Sequence, residues 1–217
     1  MIIECIGHAE FLIELADGYR IVTDPYDAST GYPVFDLKAD AVLVSHGHHD
    51  HNAVENVKGW TVKIDRPGSY TLSKDVTVEA IPCFHDNEQG AKRGSNLIFV
   101  LKAEGLTVAH LGDLGHLPDA ALAEKVGPVD IIMIPVGGFF TIDADTAVDV
   151  VRMLKARVVL PMHFRTEVNE GWPIAPVDGF LQAMGIPQAE TLRLLRVTKE
   201  DLSLQPRVAV MERRKAE

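Results

Sequence analysis

The sequence predicts a mixed α/β or α+β protein in which two β-sheets pack together with helices outside. Three observations predict it. Short apolar strands, punctuated by Gly, Asp and Pro, run through all 217 residues. In each half hairpins come first, and apolar strands alternating with helices follow. Apolar residues make up 47% of the chain, enough for a core and too many for a disordered chain. The length fits one domain over residues 1–217.

Taken in order, residues 2–6, 11–15 and 19–23 read as strands, with Asp17-Gly18 as a hairpin turn and Asp24-Pro25 ending the third. Residues 26–39 read as loop, broken by Asp27, Gly31 and Pro33. Residues 41–44 form a buried strand, and Asn52 starts a short helix reaching residue 58. Strands follow at 60–64, near 70–72 and at 76–81, the last closed by Pro82-Cys83-Phe84-His85-Asp86. After a loop over 87–95, residues 97–102 and 106–111 make a hairpin about Glu104-Gly105 that runs into Gly112-Asp113-Leu114-Gly115-His116. Pro118 suits the first turn of a helix over 119–126. Residues 131–134 form a continuous apolar strand. Asp143 N-caps a helix over 144–154 that puts Ala147, Val148, Val151 and Leu154 on one face. A strand at 158–160 ends in Pro161-Met162-His163, a loop spans 165–176, a helix covers 177–184, and strands near 190–196 and 207–211 finish the chain.

The totals exclude some functions. With 21 Lys and Arg against 31 Asp and Glu the net charge is −10, which argues against a surface that grips nucleic acid by neutralising phosphates. No apolar run reaches the length of a membrane span, and Met1-Ile2-Ile3-Glu4-Cys5 has no basic region. Two cysteines make no disulfide framework, so a cytoplasmic protein is expected. Oligomeric state is left open, a homo-oligomer included.

The chemistry concentrates in Ser45-His46-Gly47-His48-His49-Asp50-His51, an H-x-H-x-D-H motif at the end of a buried strand. His46, His48, Asp50 and His51 are ligand types for zinc, iron and manganese. His85, Asp113 and His163 each follow another apolar run. Rigid strands behind and loops in front are how sites are commonly built. Six or seven such ligands exceed one tetrahedral zinc and suit two ions sharing a carboxylate.

These residues in this order resemble the metallo-β-lactamase superfamily of metal-dependent hydrolases over nearly the whole chain. Gly7-His8-Ala9, Thr23-Asp24-Pro25, Gly137-Gly138 and Pro161-Met162-His163-Phe164 are similar to its compact branch, which includes ascorbate-6-phosphate lactonase relatives. The resemblance implies an αβ/βα four-layer sandwich with the site at one edge of the two sheets. It further implies one metal on His46, His48 and His85, a second on Asp50, His51 and His163, and Asp113 bridging them. Two ions about 3.5–4 Å apart can bind a hydroxide, since metal binding lowers the pKa of water from 15.7 to about 7. Asp50 would both bind metal and orient that hydroxide, the catalytic role. Leu114 departs from the Thr that relatives often carry there.

Other residues receive lesser roles. His8, at a branch position, and His116 are pocket candidates, and Asp24 supports a ligand His by hydrogen bonding. His49 points away from the ligands, and His110 is a core histidine. Cys83 shares strand parity with His85 but reads as a small buried residue. Phe139 and Phe140 wall the pocket or pack in the core. Lys92 and Arg93 after His85, and Arg165 after His163, place three cations on loops that should open at the metal edge. A carboxylate or phosphate on the substrate would be clamped by Arg165, helped by Lys92 or Arg93. The expected function is a binuclear hydrolase acting on a lactone, ester or phosphodiester of a small molecule. The alternatives are an iron-dependent oxidoreductase on the same fold and a nuclease. Zinc leads among the metals, with manganese, iron and nickel also compatible.

Overall fold

Strand alternation sorts the apolar residues onto opposite faces, and that sorting builds the layers. The computed structural model describes residues 1–203 and 206–215. In chain order the elements are β1 (Ile2–Gly7), β2 (Glu10–Glu14), β3 (Arg20–Thr23), β4 (Leu37–Lys38), β5 (Ala41–Leu43), β6 (Val57–Lys58), β7 (Val62–Ile64), β8 (Gly68–Ser73), β9 (Val76–Phe84), β10 (Ser95–Ala103), β11 (Leu106–His110), α1 (Ala120–Val126), β12 (Ile131–Pro135), α2 (Ala144–Met153), β13 (Val158–Met162), α3 (Asp178–Ala183), β14 (Glu190–Leu192), β15 (Leu195–Arg196) and β16 (Arg207–Met211).

The strands form a six-stranded sheet in the order β15-β1-β2-β3-β5-β7 and an eight-stranded sheet in the order β14-β16-β13-β12-β11-β10-β9-β8. Each sheet is antiparallel where hairpins join its strands, as is the long-range β15–β1 pair, and parallel elsewhere. Ile3, Phe11, Ile13, Ile21 and Leu43 of the first sheet meet Val78, Phe99, Leu101, Met133 and Leu160 of the second. Each such side chain, fully buried, stabilises by roughly 1.5–3 kcal/mol. The opposite parity of the second sheet, with Ile98, Val100, Ile132 and Val159, packs on Val126 of α1, Val148 and Val151 of α2 and Phe180 of α3. The helices among the described residues therefore cover the second sheet. The outer face of the first sheet, Leu12, Val22 and Val42, is covered instead by Tyr26, Tyr32, Leu37 and Val57. Tyr26 and Tyr32 lie in loop and Leu37 and Val57 in the β4-β6 pair, so among the described residues this fourth layer contains no α-helix.

Three elements differ from expectation, each for a tertiary reason. Residues 52–58 form a 3₁₀ turn, Val54–Asn56, and then β6 rather than a helix. The segment is too short to repay helix nucleation, and it is tied down by Ala53 N–H to Pro25 O (2.7 Å) and Asn56 Nδ2–H to Tyr26 O (3.2 Å). β9 continues through Pro82 to Phe84. The N–H of His85 points to β10, so alternation turns the nitrogens of Pro82 and Phe84 the other way, where pairing with β8 has ended at Ala80. Proline there removes no ladder bond. The strand expected at 190–196 divides, β14 pairing with β16 and β15 with β1, so this stretch links the two sheets. No helix among the described residues is long and apolar enough to cross a membrane.

Candidate metal centre

Asp113 sits at the middle of the His and Asp cluster, delivered by the turn after β11 and 2% exposed. Its Oδ2 lies 3.1 Å from His85 Nε2, 3.3 Å from His163 Nε2 and 3.8 Å from His46 Nε2, and its Oδ1 lies 3.2 Å from His51 Nε2. Asn96 holds it in place. The Asn96 Oδ1 accepts from the Asp113 N–H at 3.0 Å, while its Nδ2 donates to Leu111 O at 2.9 Å. Around Asp113 the side chains fall into three groups whose ligand atoms lie within 4.8 Å of one another: His46, His48 and His85; His46, His51 and Asp113; and His8, Asp50, His51 and His163.

Two imidazole tautomers follow from the hydrogen bonds behind the cluster. Asp24 is fully buried, and burial opposes its ionisation, but the neighbouring His51 holds its pKa below the usual range. An ionised carboxylate only accepts. Its Oδ2 therefore takes protons from Ser45 Oγ at 2.6 Å and from His51 Nδ1 at 2.9 Å, and its Oδ1 takes the Ser45 N–H at 2.7 Å. With its proton committed to Asp24, Ser45 Oγ must accept from His46 Nδ1 at 2.9 Å. Both His46 and His51 therefore use Nδ1 as the donor and turn Nε2, the atom that would bind a metal, toward Asp113. Such outer partners fix the orientation and basicity of metal-binding imidazoles. Burial opposes protonation of His51, yet Asp113 and Asp24 hold its pKa well above the usual range.

Those Nε2 atoms, both nitrogens of His8 and Asp113 Oδ1 are buried with no hydrogen-bond partner among the described residues. Buried polar atoms are normally satisfied, and a cation would satisfy the Nε2 atoms of His46 and His51, one nitrogen of His8 and Asp113 Oδ1. Burial, reinforced by His163, lowers the His8 pKa to about 4, and burial with His51 lowers that of His46 to about 3. Both rings are neutral at pH 7 and keep lone pairs for a metal. Burial opposes the ionisation of Asp113 too, yet His163 and His51 hold it well below the carboxylate range. The residues fit a metal, and the all-nitrogen-and-oxygen donor set suits zinc, manganese, iron or nickel.

Tight backbone approaches lock the strand ends together. A Cβ on Gly115 would lie 2.2 Å from the His85 carbonyl carbon, and one on Gly137 would lie 2.3 Å from the His163 carbonyl oxygen. His8, Asp24 and His163 themselves adopt left-handed backbone, with φ of 52°, 43° and 52°. Such conformations cost roughly 1–3 kcal/mol each and cluster at functional sites.

The cluster opens into a cavity of about 420 Å³ lined by His48, Asp50, His85, Asp113 and His163 on one side and by Arg93, Phe140 and Trp172 on the other. Of the three cations expected at this mouth, only Arg93 lines it. Lys92 is exposed and pairs with Glu88 at 2.5 Å. Arg165 is exposed, and its backbone N–H is bonded to Ala175 O at 2.9 Å on the loop that carries Trp172. His116 does not line this cavity either. Its Nε2 accepts from the Phe84 N–H at 3.3 Å, taking the place of the missing neighbour of β9, and its Nδ1 donates to Leu117 O at 3.0 Å. His8, expected to line the pocket, joins the ligand-type groups instead, with Nε2 3.3 Å from Asp50 Oδ2. His49 turns outward to Ser29 Oγ at 2.9 Å, and His110 is buried on Ala9 O at 2.9 Å. Cys83 is buried beside Asn96. Phe139 is 65% exposed at the rim, stacked edge-on against Phe140. Sequence reasoning missed Trp172, whose only local sign is its place between Gly171 and Pro173 in the loop after His163.

The beta-lactamase superfamily domain matches residues 2–163. A protein named UPF0173 metal-dependent hydrolase from Carboxydothermus hydrogenoformans is 31% identical over 211 residues, covering 82% of this chain and 88% of the relative. A second of that name, from Pelotomaculum thermopropionicum, is 32% identical over 205 residues, covering 80% and 86%. Among solved structures, a Thermotoga maritima protein of the metallo-beta-lactamase superfamily superposes with a TM-score of 0.79 at 35% identity, covering 97% of this chain and 98% of its own. Igni18, a metallo hydrolase from Ignicoccus hospitalis, shares the fold, with a TM-score of 0.65 at 20% identity over 97% of this chain and 94% of its own. The chain therefore belongs to the beta-lactamase superfamily domain family and is a metal-dependent hydrolase of the metallo-β-lactamase superfamily.

Proposed function

We propose that the protein hydrolyses a lactone, ester or phosphodiester bond of a small molecule with two divalent metal ions, zinc foremost. The observation that carries this reading is the single buried carboxylate of Asp113, faced by the Nε2 atoms of His46, His51, His85 and His163 at 3.1–3.8 Å. In this reading His46, His48 and His85 hold one ion, and Asp50, His51 and His163 hold the other, with Asp113 shared. When bound, the ions supply Lewis acidity and bring the pKa of water from 15.7 to about 7. The chain's own residues set the geometry. Asp24 and Ser45 keep the protons of His51 and His46 on the side away from the ions. Asp50 lines the substrate cavity, where it would bind metal and orient the attacking water, and His8 Nε2 lies 3.3 Å from its Oδ2. Phe140 and Trp172 cover the opposite wall and restrict water.

The test is a panel of lactones, thioesters, phosphodiesters and β-lactams offered to the metal-loaded protein and to Asp50→Ala. The reading expects turnover of at least one ester, lactone or phosphodiester class and a loss of about 10²-fold or more in the variant, the scale expected when a reactant is mispositioned. Wild-type turnover that survives unchanged in Asp50→Ala would remove Asp50 from the mechanism.

A further inference from the structure

We propose that Arg93, Phe140 and Trp172 form a subsite for the acidic head group of a substrate whose adjoining part is apolar. The proposal rests on the hydrolase reading of the same cavity, and it names the substrate class. Arg93 has no carboxylate partner among the described residues, which is unusual in a chain with ten more acidic than basic side chains. Instead its guanidinium carbon lies 5.1 Å from the centre of the Phe140 ring and 6.0 Å from that of Phe139. That stacking orients the planar fork and leaves its N–H edge free for a carboxylate or phosphate, the bidentate geometry that suits Arg.

The position is built. Asp86, directly after His85, accepts four backbone N–H bonds from the loop that carries Arg93. Its Oδ1 takes Glu88 and Gly90 at 2.8 and 2.9 Å, and its Oδ2 takes Lys92 and Arg93 at 3.0 and 2.7 Å. The loop is thereby fixed to the same strand end that presents His85.

The apolar wall is continuous with the metal cluster. Phe140 and Trp172 meet edge to face with centroids 6.4 Å apart, Trp172 packs edge-on to His8 at 5.2 Å, and Phe140 lies 6.5 Å from His163. A molecule spanning this cavity of about 420 Å³ would set its acidic group on Arg93, its apolar part between the two rings and its scissile bond at Asp50. Exposed Lys92, held by Glu88, takes no part.

The test uses phenylphosphonate and phenylacetate as unreactive probes and benzyl alcohol as the neutral control, with tryptophan fluorescence as the readout. Trp172 reports the cavity, and Trp60, the other tryptophan, gives a constant background. The expected result is saturable quenching by both acids and none by the alcohol. In Arg93→Gln affinity should fall at least tenfold, and in Lys92→Gln it should not change. In Trp172→Phe the fluorescence change should vanish while calorimetry still detects binding. Equal affinity of wild type and Arg93→Gln for both acids, or no binding by wild type, overturns the subsite. A second arm compares acidic and neutral esters. Arg93→Gln should lose kcat/KM for the acidic esters, mainly through KM, and retain it for neutral ones. Arg93-dependent binding without turnover of any ester, lactone or phosphodiester would refute the proposed reaction class and leave the subsite standing. Turnover indifferent to Arg93 would do the reverse.

Discussion

Asp24→Asn replaces one carboxylate oxygen with an NH₂ group and, in the two-ion reading, should weaken both metal ions at once. Asparagine is isosteric but carries one acceptor and one amide NH₂. Its oxygen must stay on the Ser45 N–H, which only donates, so the NH₂ faces Ser45 Oγ and His51 Nδ1. His51 Nδ1 must then accept, and its proton moves to Nε2, the atom 3.2 Å from Asp113. Ser45 Oγ must accept from the amide and turns its own proton to His46 Nδ1, so the His46 proton also moves to Nε2. One substitution therefore blocks a ligand lone pair in each half of the cluster. Loss of such an outer partner typically costs 10–100-fold in metal affinity, about 1.4–2.8 kcal/mol per ion. The metal-free protein exchanges charge-assisted bonds for neutral ones at about 1 kcal/mol each, a shift of only about 2–4 °C in Tm per bond. Competition with a chromogenic chelator measures the two affinities, and melting of the chelated protein measures the rest. Wild-type affinity for both ions in a folded Asp24→Asn protein would refute the tautomer argument, and with it the roles of Asp24 and Ser45.

Further outcomes follow from packing and burial. Gly137→Ala would place a methyl group 2.3 Å from the His163 carbonyl oxygen, backbone against backbone. It should destabilise by at least the roughly 1–3 kcal/mol of overpacking and displace His163, read as a lower Tm together with lost metal affinity. Cys5 and Cys83 are buried, and burial raises both thiols to about 12. The folded protein should leave Ellman's reagent unreacted at pH 8 and react fully in denaturant. Because the folded state keeps thiol protons that the unfolded state releases near pH 8.5, stability should fall as pH rises from about 9 toward 12. Rapid reaction of either thiol in the native protein would contradict the burial.

Much of the site was legible because its pieces are local. The H-x-H-x-D-H motif, and the His, Asp and His at later strand ends, need only strand parity and order to be brought together. Short apolar runs likewise located the strands β1, β2, β9 and β10. What escaped was decided across the fold. Whether His116 faces the cavity or caps Phe84 depends on where β8 stops pairing, at Gly68, far away in the chain. Arg93 and Lys92 are neighbours of one charge, and only Glu88 and the Phe140 ring separate their roles. His8 reads as a pocket-lining residue until Asp50, His51 and His163 arrive beside it as a ligand-type group. Residues 190–196 carry strand character throughout, but nothing local says that the two ends belong to different sheets.

Metal content per chain tests the central claim most directly. Protein purified without added metal, then chelated and reloaded, should bind two divalent ions per chain by elemental analysis, and Asp113→Asn should weaken both because the carboxylate is shared. A single tight site in the fully loaded protein, or an Asp113→Asn variant that keeps two ions at wild-type affinity, would contradict a centre built around Asp113.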